Sequence, residues 1–205
     1  ICDPALWPKL LAGTDAVIHL AAIIPPLSDL KPELATAVNI TATAELVRQM
    51  QVSPTAKRLI FASSNAVAGS EQHLRTPPLT ADDEPRPSDL YGRTKADCEL
   101  LIKASDLRWS ILRITACPPL EISFGDAGNL DAMFSASEHA RIEAVHNDDA
   151  ALAFANAAQC DAAGRNAGGC CFSGAQRQPA RRILQAGLAP GAGDCGDQRG
   201  GGCCF

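Results

Sequence analysis

The sequence predicts an α/β protein built on a parallel sheet. Two observations carry this. Short, nearly unbroken apolar runs recur along residues 1–158, the pattern of strands buried on both faces. Between them lie longer segments whose apolar residues return every three or four positions, as on one face of a helix. The 205 residues suffice for one domain with a full core.

The elements follow in order. Asp15–Ala22 comes after a Gly-Thr turn and reads as the first strand, ended by Pro25-Pro26. From Glu33 to Gln51 the spacing of Leu34, Val38, Ala42, Leu46, Val47 and Met50 predicts a helix with one buried face. Lys57–Ser63 is the second strand. Residues 65–88 are Pro-rich and read as a long loop, which in a compact domain usually serves function. Asp89–Ala104 is a helix with Ser88 or Asp89 as its cap, and Trp109–Ile114 is the third strand. A helix near Leu130–Ser137, a short strand at Arg141–His146 and a helix from Asp148 to Ala158 complete the pattern.

The last residues differ in composition. Of the 16 glycines and nine cysteines, 11 and six fall in residues 160–205. All five lysines and the one tyrosine lie before residue 160. The expected division is therefore a folded part, 1–158, and a Gly/Cys/Arg-rich tail, 159–205, either disordered or read out of frame. The tail cysteines form no pair with metal-ligand spacing and have no histidine beside them, so no metal site is expected there.

A net charge of −5 disfavours nucleic acid or an anionic membrane as main partner. The longest uncharged apolar stretch, Ala16–Leu27, is too short to span a bilayer. No basic-then-apolar leader is visible, and the expected location is the cytoplasm. The chain starts at Ile1 in mid-pattern, and the expectation is that it is a fragment.

Chemistry concentrates in Tyr91-Gly92-Arg93-Thr94-Lys95. Spacing of four puts Tyr91 and Lys95 on one helix face, one turn apart. An ammonium beside a phenol stabilises the phenolate, so Tyr91 is expected to titrate low enough for proton transfer near neutral pH.

Six blocks in sequence, DAVIHLAA, VN on a helix, RLIFASSNAVAG, YGRTK, LRIT and VHNDDAALAF, make residues 1–158 resemble the extended short-chain dehydrogenase/reductases, often called NAD-dependent epimerase/dehydratases. The resemblance implies a Rossmann-type, doubly wound parallel sheet with NAD or NADP across the carboxyl ends of its strands. It assigns catalysis to Ser64, which would hold the substrate hydroxyl or carbonyl, to Tyr91 as acid/base and to Lys95 as its activator. Lys95 would also bind the nicotinamide ribose. Leu20, Ala21 and Ala22 would line the cofactor with backbone. Asn39 and Thr115 would lie near it, and Ile1 near its adenine. A homodimer of the full-length parent is left open by the resemblance.

Departures from the family pattern matter equally. The glycine-rich loop is absent: before residue 60 the only glycine is Gly13. That loop's amides would hold the pyrophosphate. Ile1–Leu6 resembles the stretch after the third family strand, so the first three strands are expected to be missing. Asn65-Ala66 stands where sugar-nucleotide dehydratases place an acid pair, which disfavours dehydration. Ala68 replaces a tyrosine, and Ala116 replaces an asparagine that contacts nucleotide-sugars. A smaller sugar, sugar acid, ketone or alcohol therefore suits as substrate.

Other polar residues read as structural. His19 is expected as a hydrogen-bonded core histidine, Asp148 and Asp149 as a helix cap, and Cys98 and Cys117 as buried thiols. Arg75, Arg86 and Arg93 read as solvated surface. The expected function is an NAD(P)-dependent oxidoreductase or epimerase. A non-catalytic NAD(P)-sensing protein and an inactive fragment of the enzyme are the alternatives. The Tyr-Lys pair favours the enzyme over the sensor.

Overall fold

A computed structural model describes residues 1–69, 83–117, 145–159 and 171–173. Four strands, β1 (Ala16–His19), β2 (Arg58–Ser64), β3 (Arg108–Ile114) and β4 (Cys171–Ser173), pair in that order, all parallel. The parallel α/β class expected from the sequence is what forms. The helix near Leu130–Ser137 lies outside the described residues. So does the Arg141–His146 strand, apart from Val145 and His146, which are not in a strand. Of the expected tail, Gln159 ends the last helix and residues 171–173 pair with Ile111–Arg113 of β3; the rest lies outside the described residues.

Helices cover both faces of the sheet. On one, α1 (Trp7–Leu11), α4 (Ala42–Val52) and α5 (Leu90–Lys103) bury Leu11, Leu46, Met50 and Ile102 against Leu59, Phe61 and Ile111. On the other, α6 (Asn147–Gln159) packs Ala153, Phe154 and Ala157 on Ile60 and Leu112. Removing such apolar surface from water is the main force holding the layers. β1 is an edge strand whose outer side has no partner among the described residues, and its Ile18 is 42% exposed. No helix among them is long and apolar enough to cross a membrane.

Two short helices escape the periodicity, α1 and α2 (Leu27–Leu30), because each has too few turns to show a repeat. The segment expected as one helix from Glu33 is helical, but in three pieces. α3 (Pro32–Ala35) passes through a π-helical turn, Thr36–Thr41, into α4. A π turn has a wider hydrogen-bond ring than the α-helix and so shifts the buried face. As a result Leu34, expected inside, is exposed, and Ala35 and Asn39 are buried instead.

α5 starts where the sequence placed it. Asp89, one of the two expected caps, accepts a 2.7 Å hydrogen bond from the Gly92 N–H. At α6 the recorded cap bond comes from His146, whose Nδ1 accepts from the Asp148 N–H at 3.2 Å. Asp148 and Asp149 still place negative charge in the first turn, favourable to the helix dipole.

Candidate active site

The carboxyl ends of β1, β2 and β3 carry the expected site residues. Ser64 closes β2 and Tyr91 lies in the first turn of α5. The Ser64 hydroxyl is near enough to the Tyr91 phenol to favour its ionised form. Ser64 Oγ also accepts from the Ala66 N–H at 3.2 Å. Neighbouring Ser63 turns the opposite way along the strand and donates to Glu99 at 2.6 Å, so of the two serines Ser64 is the one on the Tyr91 side.

Lys95 is 3% exposed. Its Nζ donates to the Ala62 carbonyl at 2.7 Å and lies 4.8 Å from the Phe61 ring centroid and 5.8 Å from that of Tyr91. Burial lowers the Lys95 pKa to about 8. Tyr91 departs from the sequence expectation. Its pKa is raised, first by burial and further by Asp89, while the nearby Ser64 hydroxyl pulls it down. The helical spacing brings Lys95 near the ring, but the ammonium is turned to Ala62, so desolvation outweighs it.

The strand ends hold the other expected cofactor residues. Leu20, Ala21 and Ala22 follow β1; Leu20 is exposed, and the two alanines are half-buried. Asn39 is buried and its amide is fully engaged. Its Oδ1 accepts from the Ile23 N–H at 2.7 Å, and its Nδ2 donates to the Ile23 carbonyl and to Thr94 Oγ1. It thus fixes the segment after β1 to α5. Thr115, just past β3, is buried with its Oγ1 unpartnered among the described residues. Ile1 is 45% exposed, with its neighbour Cys2 against Ala37 of the π turn.

The remaining polar residues sort as follows. His19 is a core histidine: Nε2 lies 2.8 Å from Thr43 Oγ1, and burial, aided by Lys95, lowers its pKa to about 4. Cys98 is buried, whereas Cys117, expected buried, is exposed because it lies beyond the strand end. Arg86 and Arg93 are on the surface, and Arg75 lies outside the described residues. Among the described residues no group of His, Cys, Asp and Glu could hold a metal ion.

Sequence reading missed a buried charge cluster behind the site. Glu99 is fully buried and accepts from Ser63, from Arg113 through Nε and Nη2 at 2.9 and 2.8 Å, and from Lys103 at 3.3 Å. The signal was present: an arginine inside the apolar run Ile111–Ile114 needs a buried anion. Gly92 was also passed over. A Cβ there would lie 2.5 Å from the backbone oxygen of Ala66. Helix propensity alone favours alanine by about 1 kcal/mol, but the clash decides the sign. Gly92→Ala is expected to cost about 1–3 kcal/mol, read as a lower thermal midpoint; an unchanged midpoint would show that residues 65–68 can yield.

The sequence profile of the NAD dependent epimerase/dehydratase family matches residues 1–117, more than half of the chain. The chain belongs to this family. One relative of this epimerase/dehydratase chain is D-erythronate dehydrogenase of Haemophilus influenzae, 37% identical over 89 residues, which are 43% of this chain and 27% of the relative. Another is methionine adenosyltransferase 2 subunit beta of Rattus norvegicus, 31% identical over 99 residues, or 48% and 28%. The chain thus spans between a quarter and a third of these relatives. A Bordetella bronchiseptica enzyme solved in complex with NAD superimposes with a TM-score of 0.62 at 19% identity, covering 93% of this chain and 64% of that one, a likeness of fold.

Proposed function

We propose that this chain carries the catalytic residues of an NAD(P)-dependent oxidoreductase or epimerase acting on a hydroxyl or carbonyl of a sugar, sugar acid or similar small molecule. The observation that carries the reading is the meeting of Ser64, at the end of β2, with Tyr91 in the first turn of α5, and with Lys95 buried one turn along that helix, its Nζ 5.8 Å from the Tyr91 ring centroid. Family membership supports it.

The residues present fit the nicotinamide half of the cofactor. The buried, unpartnered Thr115 hydroxyl is a group that a ligand can satisfy. Ala21 and Ala22 lie half-buried just past the end of β1, and Lys95 supplies a donor. Among the described residues no glycine-rich turn follows a strand, so they offer nothing equivalent for the pyrophosphate. When bound, NAD(P) supplies the hydride acceptor or donor. Ser64 orients the substrate oxygen toward the Tyr91 hydroxyl, and Tyr91 gives or takes the proton at that oxygen. Lys95 stabilises the phenolate when its amine swings from the Ala62 carbonyl.

The alanines at 68 and 116 favour small substrates over nucleotide-sugars, so D-erythronate and related sugar acids are the first to try. The test is the longest in-frame product of the locus, incubated with NAD or NADP and a panel of sugar acids, with reduced nicotinamide followed by absorbance. Turnover supports the enzyme. Saturable cofactor binding without turnover would support the sensing protein, and neither would leave the inactive fragment.

A further inference from the structure

We propose that Ser63 and Glu99 are positioning residues that set the placement of Tyr91 against Ser64 by fixing the register of α5 on β2; this rests on the reading above only for its catalytic meaning. Tyr91, Lys95 and Glu99 stand one turn apart on a single face of α5. Lys95 grips β2 at the Ala62 carbonyl, and Glu99 grips it at the next residue, Ser63, 2.6 Å away. Ser64 follows directly. Arg113 pairs with Ser63 across the β2–β3 register, and its guanidinium forks onto the same carboxylate. Neighbouring strands and the catalytic helix therefore meet at one buried anion, a single residue from the catalytic serine. A surface ion pair could not hold such a register, because it would be screened and mobile.

The groups acting on Tyr91 from the elements around it are Asp89 at the helix cap, Ser64 on β2 and Lys95 on α5, and His19 of β1 feels the charge of Lys95 in turn. Of these, the Ser64 contact favours the phenolate. Loss of register should weaken that contact and move the Tyr91 titration upward.

Tyr91 is the only tyrosine in the chain, so tyrosinate absorbance reports the site alone. The experiment is a rapid pH jump, read before alkaline unfolding, on the folded chain and on Ser63→Ala, Ser63→Thr and Val47→Ala. Ser63→Ala leaves the Glu99–Arg113 pair in place. It is expected to raise the Tyr91 midpoint by about half to one pH unit. Ser63→Thr keeps the hydroxyl and should stay near the parent. Val47→Ala, a core truncation on α4, should lower stability without moving the midpoint. An unmoved midpoint in Ser63→Ala, equal shifts in Ala and Thr, or an equal shift in Val47→Ala would each overturn the proposal. Should Ser63→Ala fail to fold, Glu99→Gln replaces it, with the same upward shift expected and an unmoved midpoint overturning the proposal. No cofactor or substrate is needed, so absence of turnover would sink the functional reading while leaving this one standing.

Discussion

Tyr91→Phe, made in the longest in-frame product of the locus, is expected to lower turnover by about 10²–10⁴-fold, the usual worth of a positioned general acid or base. The ring stays, and with it the packing near Lys95, whose Nζ is 5.8 Å from the centroid. Only the hydroxyl is lost, so cofactor affinity should hold within a few-fold. The pH dependence follows from the raised Tyr91 pKa. At neutral pH the resting group is the phenol, already the form that donates a proton during carbonyl reduction. Alcohol oxidation needs the phenolate, so its rate should rise with pH into the alkaline range in the parent and stay flat in Tyr91→Phe. Initial rates in both directions, with a parallel cofactor titration, check this. A loss in turnover of only a few-fold would remove Tyr91 from the role.

How much of this was legible depends on which physical cue each feature leaves in the sequence. β2, β3 and α5 are plain because burial imposes a run or a period long enough to see. The π turn at Thr36–Thr41 leaves no such mark: the segment is helical throughout, and only the exposure of Leu34 and burial of Asn39 betray the phase shift. At the site, the family blocks brought Ser64, Tyr91 and Lys95 to one place, and they meet there. The direction of the Lys95 amine was beyond spacing, since four residues fix a shared face but not which acceptor a flexible stem chooses. Ala62 offers a carbonyl at the end of β2, and the amine takes it. Asn39 shows the same limit. Its position was visible, while its partners, the Ile23 backbone and Thr94, come from segments 16 and 55 residues away in sequence.

Glu99→Ala is expected to be the most damaging single change to stability, about 3–5 kcal/mol, because it takes from the Arg113 guanidinium, 4% exposed, the buried carboxylate that accepts two of its N–H bonds. Against a typical total of about 5–15 kcal/mol that loss is a large fraction. Hydrogen bonds from Ser63, Arg113 and Lys103 hold the Glu99 pKa below the usual carboxylate range, although burial alone would raise it. A carboxylate depressed in the folded state stabilises fully above its unfolded pKa and loses that contribution as pH falls through the folded value. The parent should therefore lose stability on acidification in a step that Glu99→Ala lacks. Replacing both partners, Glu99→Leu with Arg113→Met, removes the buried charge altogether and should recover most of the loss, since an apolar pair of similar volume is often as stable as a buried ion pair. Urea denaturation of the three proteins at neutral and acid pH reads all three effects. A Glu99→Ala variant within about 1 kcal/mol of the parent would mean that Arg113 finds another anion or water, and that the cluster does not hold α5 to the sheet.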